Sequence, residues 1–180
     1  MQEYYKLNVA GLQRNLPICK INEHLSIAAF VIFGDVDLTV KSAEALKEKL
    51  PPHDIMITAE AKSIPLIHEL ARQTGANTYV IARKVPKLYM VNPISVPVHS
   101  ITTAKEQRLY IDETDVERMR GKRVVIVDDV ISTGESMKAV EELVKEAGGN
   151  IVGRAAILAE GDAADRDDII FLEKLPVFTK

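Results

Sequence analysis

Val124 to Ser136 reads VVIVDDVISTGES. Four β-branched residues run straight into Asp128 and Asp129, and the loop Ile131-Ser132-Thr133-Gly134-Glu135-Ser136 then opens into a helical pattern. A short, continuous β-branched run bounded by turn residues reads as a parallel strand buried on both faces. The loop offers three hydroxyls and the unpaired N–H groups of a helix N-terminus, which attract phosphate. Adjacent carboxylates accept hydrogen bonds from sugar hydroxyls or hold Mg²⁺. A sugar phosphate asks for both features at once.

Outward from this stretch, apolar runs alternate with helical patterns, which predicts βαβ units and a mostly parallel sheet flanked by helices. Thr39 to Leu50 is amphipathic and stops at Pro51-Pro52. Asp54 to Ala59 is the first core strand, and Ser63 is placed to cap a helix to about Thr74, with Pro65 in its first turn and Gly75 beyond it. Thr78 to Ala82 is the next strand. Lys122 to Val127 is the strand of the opening motif, and Gly134 to Ala147 the helix after it. Gly148-Gly149 leads into a strand over Ile151 to Leu158, and Ile169 to Leu172 is a short edge strand. Between Arg83 and Glu106 the rhythm breaks: Pro, Ser and Thr are frequent, and Arg83, Lys84, Lys87 and Lys105 add charge. A connection this long is usually a lid or binding loop, and Val96 to Thr102 with Arg108 to Ile111 suggests a β-ribbon.

The chain has 180 residues, 47% hydrophobic and 27% charged, with a net charge of −3. That fits one domain with a full core and argues against a general nucleic-acid binder. The one cysteine, Cys19, excludes an internal disulfide and points to a reducing compartment, the cytoplasm. The N-terminal residues lack the apolar core of a signal peptide, and no run approaches a membrane span. There is no G-x-x-x-x-G-K-[S/T] and no G-x-G-x-x-G.

The VVIVDDVISTGES segment resembles the signature with which type I phosphoribosyltransferases bind phosphoribosyl pyrophosphate (PRPP). The resemblance extends over about residues 28 to 160 and is strongest to the adenine and xanthine enzymes. It implies a single-domain α/β fold over 1–180, with a hood from about 15–36 and 160–180 and a flexible loop over about 84–108. Asp128 and Asp129 would orient the ribose hydroxyls. Ser132, Thr133, Gly134, Glu135 and Ser136 would cradle the 5-phosphate, with the Glu135 side chain turned away. Thr58 to Ser63 is similar to the family's pyrophosphate loop, which nominates Glu60, Ala61, Lys62 and Ser63; read by itself, it is also a capping turn with an exposed lysine. Arg83-Lys84, followed by Lys87, resembles a basic pair that in relatives reaches the neighbouring site of a homodimer; read locally, it is a solvated charge cluster.

Val31 to Val36 looks like the hood segment that meets the base, with Ile32 and Phe33 as base contacts; Phe33 is equally readable as core. Ser100 to Thr103 sits where adenine enzymes carry a loop glutamate, here Thr102, and Glu106 is the candidate to substitute as a catalytic acid or base. In 6-oxopurine enzymes a lysine follows the last core strand; here that position is Gly161, after Glu160. An acidic rim favours an amino-bearing base, adenine. The resemblance thus implies transfer of phosphoribosyl from Mg²⁺-bound PRPP to a purine, with a 6-oxopurine transferase or a non-catalytic PRPP-sensing regulator as alternatives. No protein-built metal site is assigned, and neither nucleic acid nor membrane is an expected partner.

Overall fold

The computed structural model describes residues 3–98 and 107–179. Its centre is a five-stranded, fully parallel sheet built from β4 (Ile55–Ala59), β5 (Val80–Ala82), β8 (Arg123–Ile131), β9 (Asn150–Glu160) and β10 (Ile170–Leu175). The strand order is β10-β9-β8-β4-β5. Every strand runs the same way because each crosses over through other elements, as right-handed parallel units require. Along β8 the pleat sends Val124 and Ile126 into one apolar cluster and Val125 and Val127 into the other. That two-sided burial is why the strand shows no polar alternation.

One face is covered by α1 (Val36–Lys47), α2 (Ile64–Thr74) and a second sheet. The helix α1 starts three residues earlier than the periodicity predicts. Asp35 accepts a hydrogen bond from the Leu38 N–H at 3.0 Å and so sets the N-cap. Arg14 donates to Asp35 at 2.6 Å, which holds that carboxyl below its ordinary range and ties the helix start to the second sheet. At the other end of α2, Gly75 takes φ +74 and closes the helix as a left-handed cap. The second sheet has the order β1-β2-β3-β11, from β1 (Tyr4–Val9), β2 (Leu12–Lys20), β3 (Leu25–Ala28) and β11 (Val177–Thr179). It begins well before the predicted hood boundary. Ala10 and Gly11, at φ +53 and +76, make the tight turn between β1 and β2.

The opposite face carries α4 (Glu135–Glu146), α3 (Glu113–Met119) and the ribbon β6 (Ile94–Val98) and β7 (Gln107–Ile111). The ribbon pairs antiparallel, from Ile94 opposite Ile111 to Val98 opposite Gln107. Helix α3 lies in a stretch without a predicted element; Asp112 caps it by accepting from the Asp115 N–H at 2.9 Å. The motif strand β8 also runs further than predicted, through both aspartates to Ile131, because β9 offers a paired backbone as far as Ala159. No helix among the described residues is long and apolar enough to cross a membrane.

Candidate active site

Parallel neighbours end at the same edge of a sheet, so the turns after β4 and β8 meet. Glu60 to Ser63 follows β4, and Asp128 and Asp129 lie on β8. One cavity of about 220 Å³ is lined by Glu60, Ala61, Lys62, Ser63, Lys84, Asp128, Asp129 and Ser136, with Arg108 and Gln107 from the ribbon. A smaller one, about 120 Å³, is lined by Asp128 and by Ser132 through Met137. Asp128, Val130 and Ser136 border both, so the two spaces adjoin.

Ser63 is where the local reading fails. It precedes α2, yet its side chain makes no capping bond. Only 2% exposed, its hydroxyl donates to Asp128 Oδ1 at 2.8 Å and accepts from the Asp129 N–H at 2.8 Å. The same N–H reaches Asp128 Oδ1, also at 2.8 Å. Burial, reinforced by the facing Asp129 carboxylate, pushes the Asp128 carboxyl well above its ordinary range. Asp129 is 3% exposed and its Oδ2 has no hydrogen-bond partner among the described residues. Lys62 Nζ stands 3.1 Å from that oxygen, a pairing of charges without hydrogen-bond alignment. An acceptor left open beside a cavity is a place for a ligand hydroxyl or cation.

Glu60 gathers the basic pair. It accepts from Arg83 Nε at 2.9 Å and from the Lys84 N–H. Burial pushes its carboxyl up, but the Lys84 N–H, Arg83 and Lys87 outweigh that and leave it below the ordinary value. Arg83 also donates to the Tyr89 hydroxyl at 2.7 Å. In this single chain Arg83 is therefore held by its own Glu60, and Lys84 faces its own cavity; Lys87 contributes charge from outside the lining.

After β8, Gly134 takes φ +83 as the N-cap of α4, with no side-chain cap. Its first helical bond runs from the Lys138 N–H to the Gly134 carbonyl, so the N–H groups of Glu135 to Met137 have no helical acceptor. Glu135 turns its carboxylate to Lys138 Nζ at 3.0 Å.

The expected base contacts Ile32, Phe33 and Glu160 lie apart from these two cavities. Ile32 is fully buried in the core, while Phe33 is 52% exposed; neither lines either cavity. A turn explains the pair: the Asp35 N–H bonds the Ile32 carbonyl and Gly34 adopts φ +78, which drives Ile32 inward and Phe33 outward. Glu160 ends β9 half-buried and borders neither space. Ser100 to Thr103, Lys105 and Glu106 lie outside the described residues. Arg108 and Gln107 carried no sequence signal, because β7 resembles an ordinary amphipathic strand. Among the described residues, no three His, Cys, Asp or Glu side chains gather as a metal cage.

A doubly covered parallel sheet with paired acids beside a helix N-terminus defines an α/β protein with the strand-to-helix turn that suits an anionic ligand. A phosphoribosyl transferase domain model matches residues 42–177. The chain belongs to the phosphoribosyltransferase family and has its type I fold. It is similar to the hypoxanthine/guanine phosphoribosyltransferase of Methanotorris igneus, 38% identical over 109 residues, 61% of this chain and 55% of that one. The like-named protein of Methanococcus voltae is 34% identical over 63% of this chain and 56% of that one. The chain thus spans about half the length of these curated relatives. In three dimensions it is similar to the adenine phosphoribosyltransferase of Saccharomyces cerevisiae, with a TM-score of 0.70, 21% identity and 94% and 92% of the two chains covered. The adenine phosphoribosyltransferase of Thermoanaerobacter pseudethanolicus gives 0.68 at 23% identity, covering 96% and 95%.

Proposed function

We propose that this chain is a purine phosphoribosyltransferase that joins the phosphoribosyl group of PRPP to a purine and releases pyrophosphate. The observation that carries it is the pair of adjoining cavities hinged on Asp128: one that sets Lys62, Lys84 and Arg108 beside the acids, one lined by hydroxyls and free N–H groups. PRPP has a phosphate at each end of a ribose, and the acids at the hinge would orient the ribose hydroxyls. The base nitrogen forms its bond to C1 as the C1–oxygen bond to pyrophosphate breaks, and the nitrogen gives up its proton. We assign that proton to Glu106. Positioning and fixed charge do most of the work in such a transfer. Lys62 and Lys84 would meet the leaving pyrophosphate, and Ser132 to Ser136 the 5-phosphate. Mg²⁺ would arrive on PRPP, held by substrate oxygens and one or two carboxylates; Asp129 Oδ2, which has no hydrogen-bond partner among the described residues, would suit that role once Lys62 turns to the pyrophosphate.

For the acceptor we favour adenine: after the last core strand the sequence reads Glu160-Gly161, with no lysine there to meet an exocyclic oxygen. The names of the archaeal relatives support a 6-oxopurine instead. Adenine, hypoxanthine, guanine and xanthine, each offered with PRPP and Mg²⁺ and followed by pyrophosphate release, separate the two. PRPP binding with no turnover on any base would mark a PRPP-sensing protein, and no PRPP binding would overturn the proposal. We further propose a homodimer: Val85, Leu88, Tyr89 and Val91 are exposed directly after the basic pair, and sedimentation reads the mass. A reducing compartment, the cytoplasm, suits the lone Cys19.

A further inference from the structure

Arg166 has no part in the roles above, yet it touches the phosphate loop. It follows a 3-10 turn over Gly161–Asp165. Its Nε and Nη2 donate to Asp168 Oδ1 and Oδ2 at 2.9 and 2.8 Å. Asp168 Oδ2 lies 3.9 Å from Arg154, whose Nε donates to Glu141 of α4 at 2.6 Å. Alternating charges thus fix the guanidinium against α4, with the carboxylate on one edge and Nη1 on the other. A Cβ built on Gly134 would stand 3.0 Å from Nη1. A side chain at 134 would press the guanidinium aside by a few tenths of an ångström, and at φ +83 glycine is the comfortable residue there.

Arg166 does not line the loop cavity, and neither does any other lysine or arginine among the described residues. The acid at the loop, Glu135, is neutralised by Lys138. The ion pair of Arg166 with Asp168 is oriented, its positive end toward the loop.

We propose that Arg166 is a positioning residue for the 5-phosphate: it holds the Gly134 turn in its binding shape and adds positive potential behind the free N–H groups of α4. The proposal rests on the PRPP reading of that loop. The test is calorimetry with ribose 5-phosphate and, separately, with inorganic pyrophosphate, on wild type, Arg166→Gln and Arg166→Lys. Arg166→Gln should weaken ribose 5-phosphate by about threefold to tenfold, leave pyrophosphate unchanged, and flatten the loss of affinity with salt. Arg166→Lys should recover most of the affinity. Unchanged ribose 5-phosphate binding in Arg166→Gln overturns the proposal, as does equal weakening of both anions or a lysine variant as weak as the glutamine one. If Arg166→Gln does not fold, wild-type ribose 5-phosphate affinity that is indifferent to ionic strength has the same force. Wild type that binds neither ribose 5-phosphate nor PRPP would instead remove the PRPP reading itself.

Discussion

The turn after β4 and the turn after β8 occupy equivalent places on one sheet, and they are built for anions in opposite ways. After β4 the charge is carried by side chains: Lys62 on the turn itself, with Arg83 and Lys84 brought to Glu60 from the end of β5. After β8 it is carried by backbone: a glycine N-cap, free N–H groups and hydroxyls, with Glu135 and Lys138 cancelling each other. Flexible cations suit a group that must leave. Fixed dipoles suit one that stays bound throughout and must not move. The shared strand acids sit between, and Ser63 reaches from the first turn to hold them for the second.

Breaking the shared element should have the largest effect. Asp128→Asn with Asp129→Asn should cut pyrophosphate release from PRPP by at least about a hundredfold, since fixed charge at a reacting centre is worth that much, while circular dichroism stays native. Wild-type turnover in the double variant would mean that the acids do not serve the ribose. Next is the backbone site. Gly134→Val puts a β-branched residue at φ +83 and a side chain against Arg166, so PRPP affinity should fall about tenfold or more, from a left-handed penalty of about 1–2 kcal/mol plus the clash. Calorimetry showing unchanged affinity would place the 5-phosphate elsewhere.

Ser63→Ala removes a bridge between the turns rather than either site. It should cost about 1 kcal/mol in urea unfolding, the scale of one buried hydrogen bond, because the Asp129 N–H keeps its contact with Asp128. A loss of several kcal/mol would mean that the serine supports more than the acids. The smallest effect concerns pH. Asp128 is pushed up to about 7, by burial first and Asp129 second. The folded state therefore holds a proton that the unfolded state releases near pH 4, and this group's contribution to stability declines as pH rises through that window. The difference in unfolding free energy between wild type and Asp128→Asn should shift in favour of the variant from acid to neutral pH. A difference independent of pH would mean that Asp128 titrates normally.

How legible these regions were follows from the range of the forces that form them. The turn after β8 is local: β-branched residues, two acids and T-G in order, so strand, loop and helix could be read directly. Ser63 could not, since its cap position is a local signal while its bonding partners lie on β8, and the partners won. Ile32 and Phe33 are adjacent apolar residues, and only the turn at Gly34 decides which is buried. Helix α3 had a readable cap in Asp112-Glu113-Thr114-Asp115, but its seven residues carry too little periodicity to stand out. Arg166 had no sequence signal at all, because its relation to Gly134 exists only once β9 and the following turn have folded back.

The pairing of β11 with β3, Val177 opposite Ile27, has a consequence for the life of the chain before it is finished. Strand β3 is made long before its outer partner. On the ribosome the β1-β2-β3 sheet must wait with an open edge, the kind of edge that pairs with strangers. A contact of such long sequence separation also forms slowly. The burden of avoiding aggregation during synthesis therefore falls on β1 to β3, far from the site that the finished molecule uses.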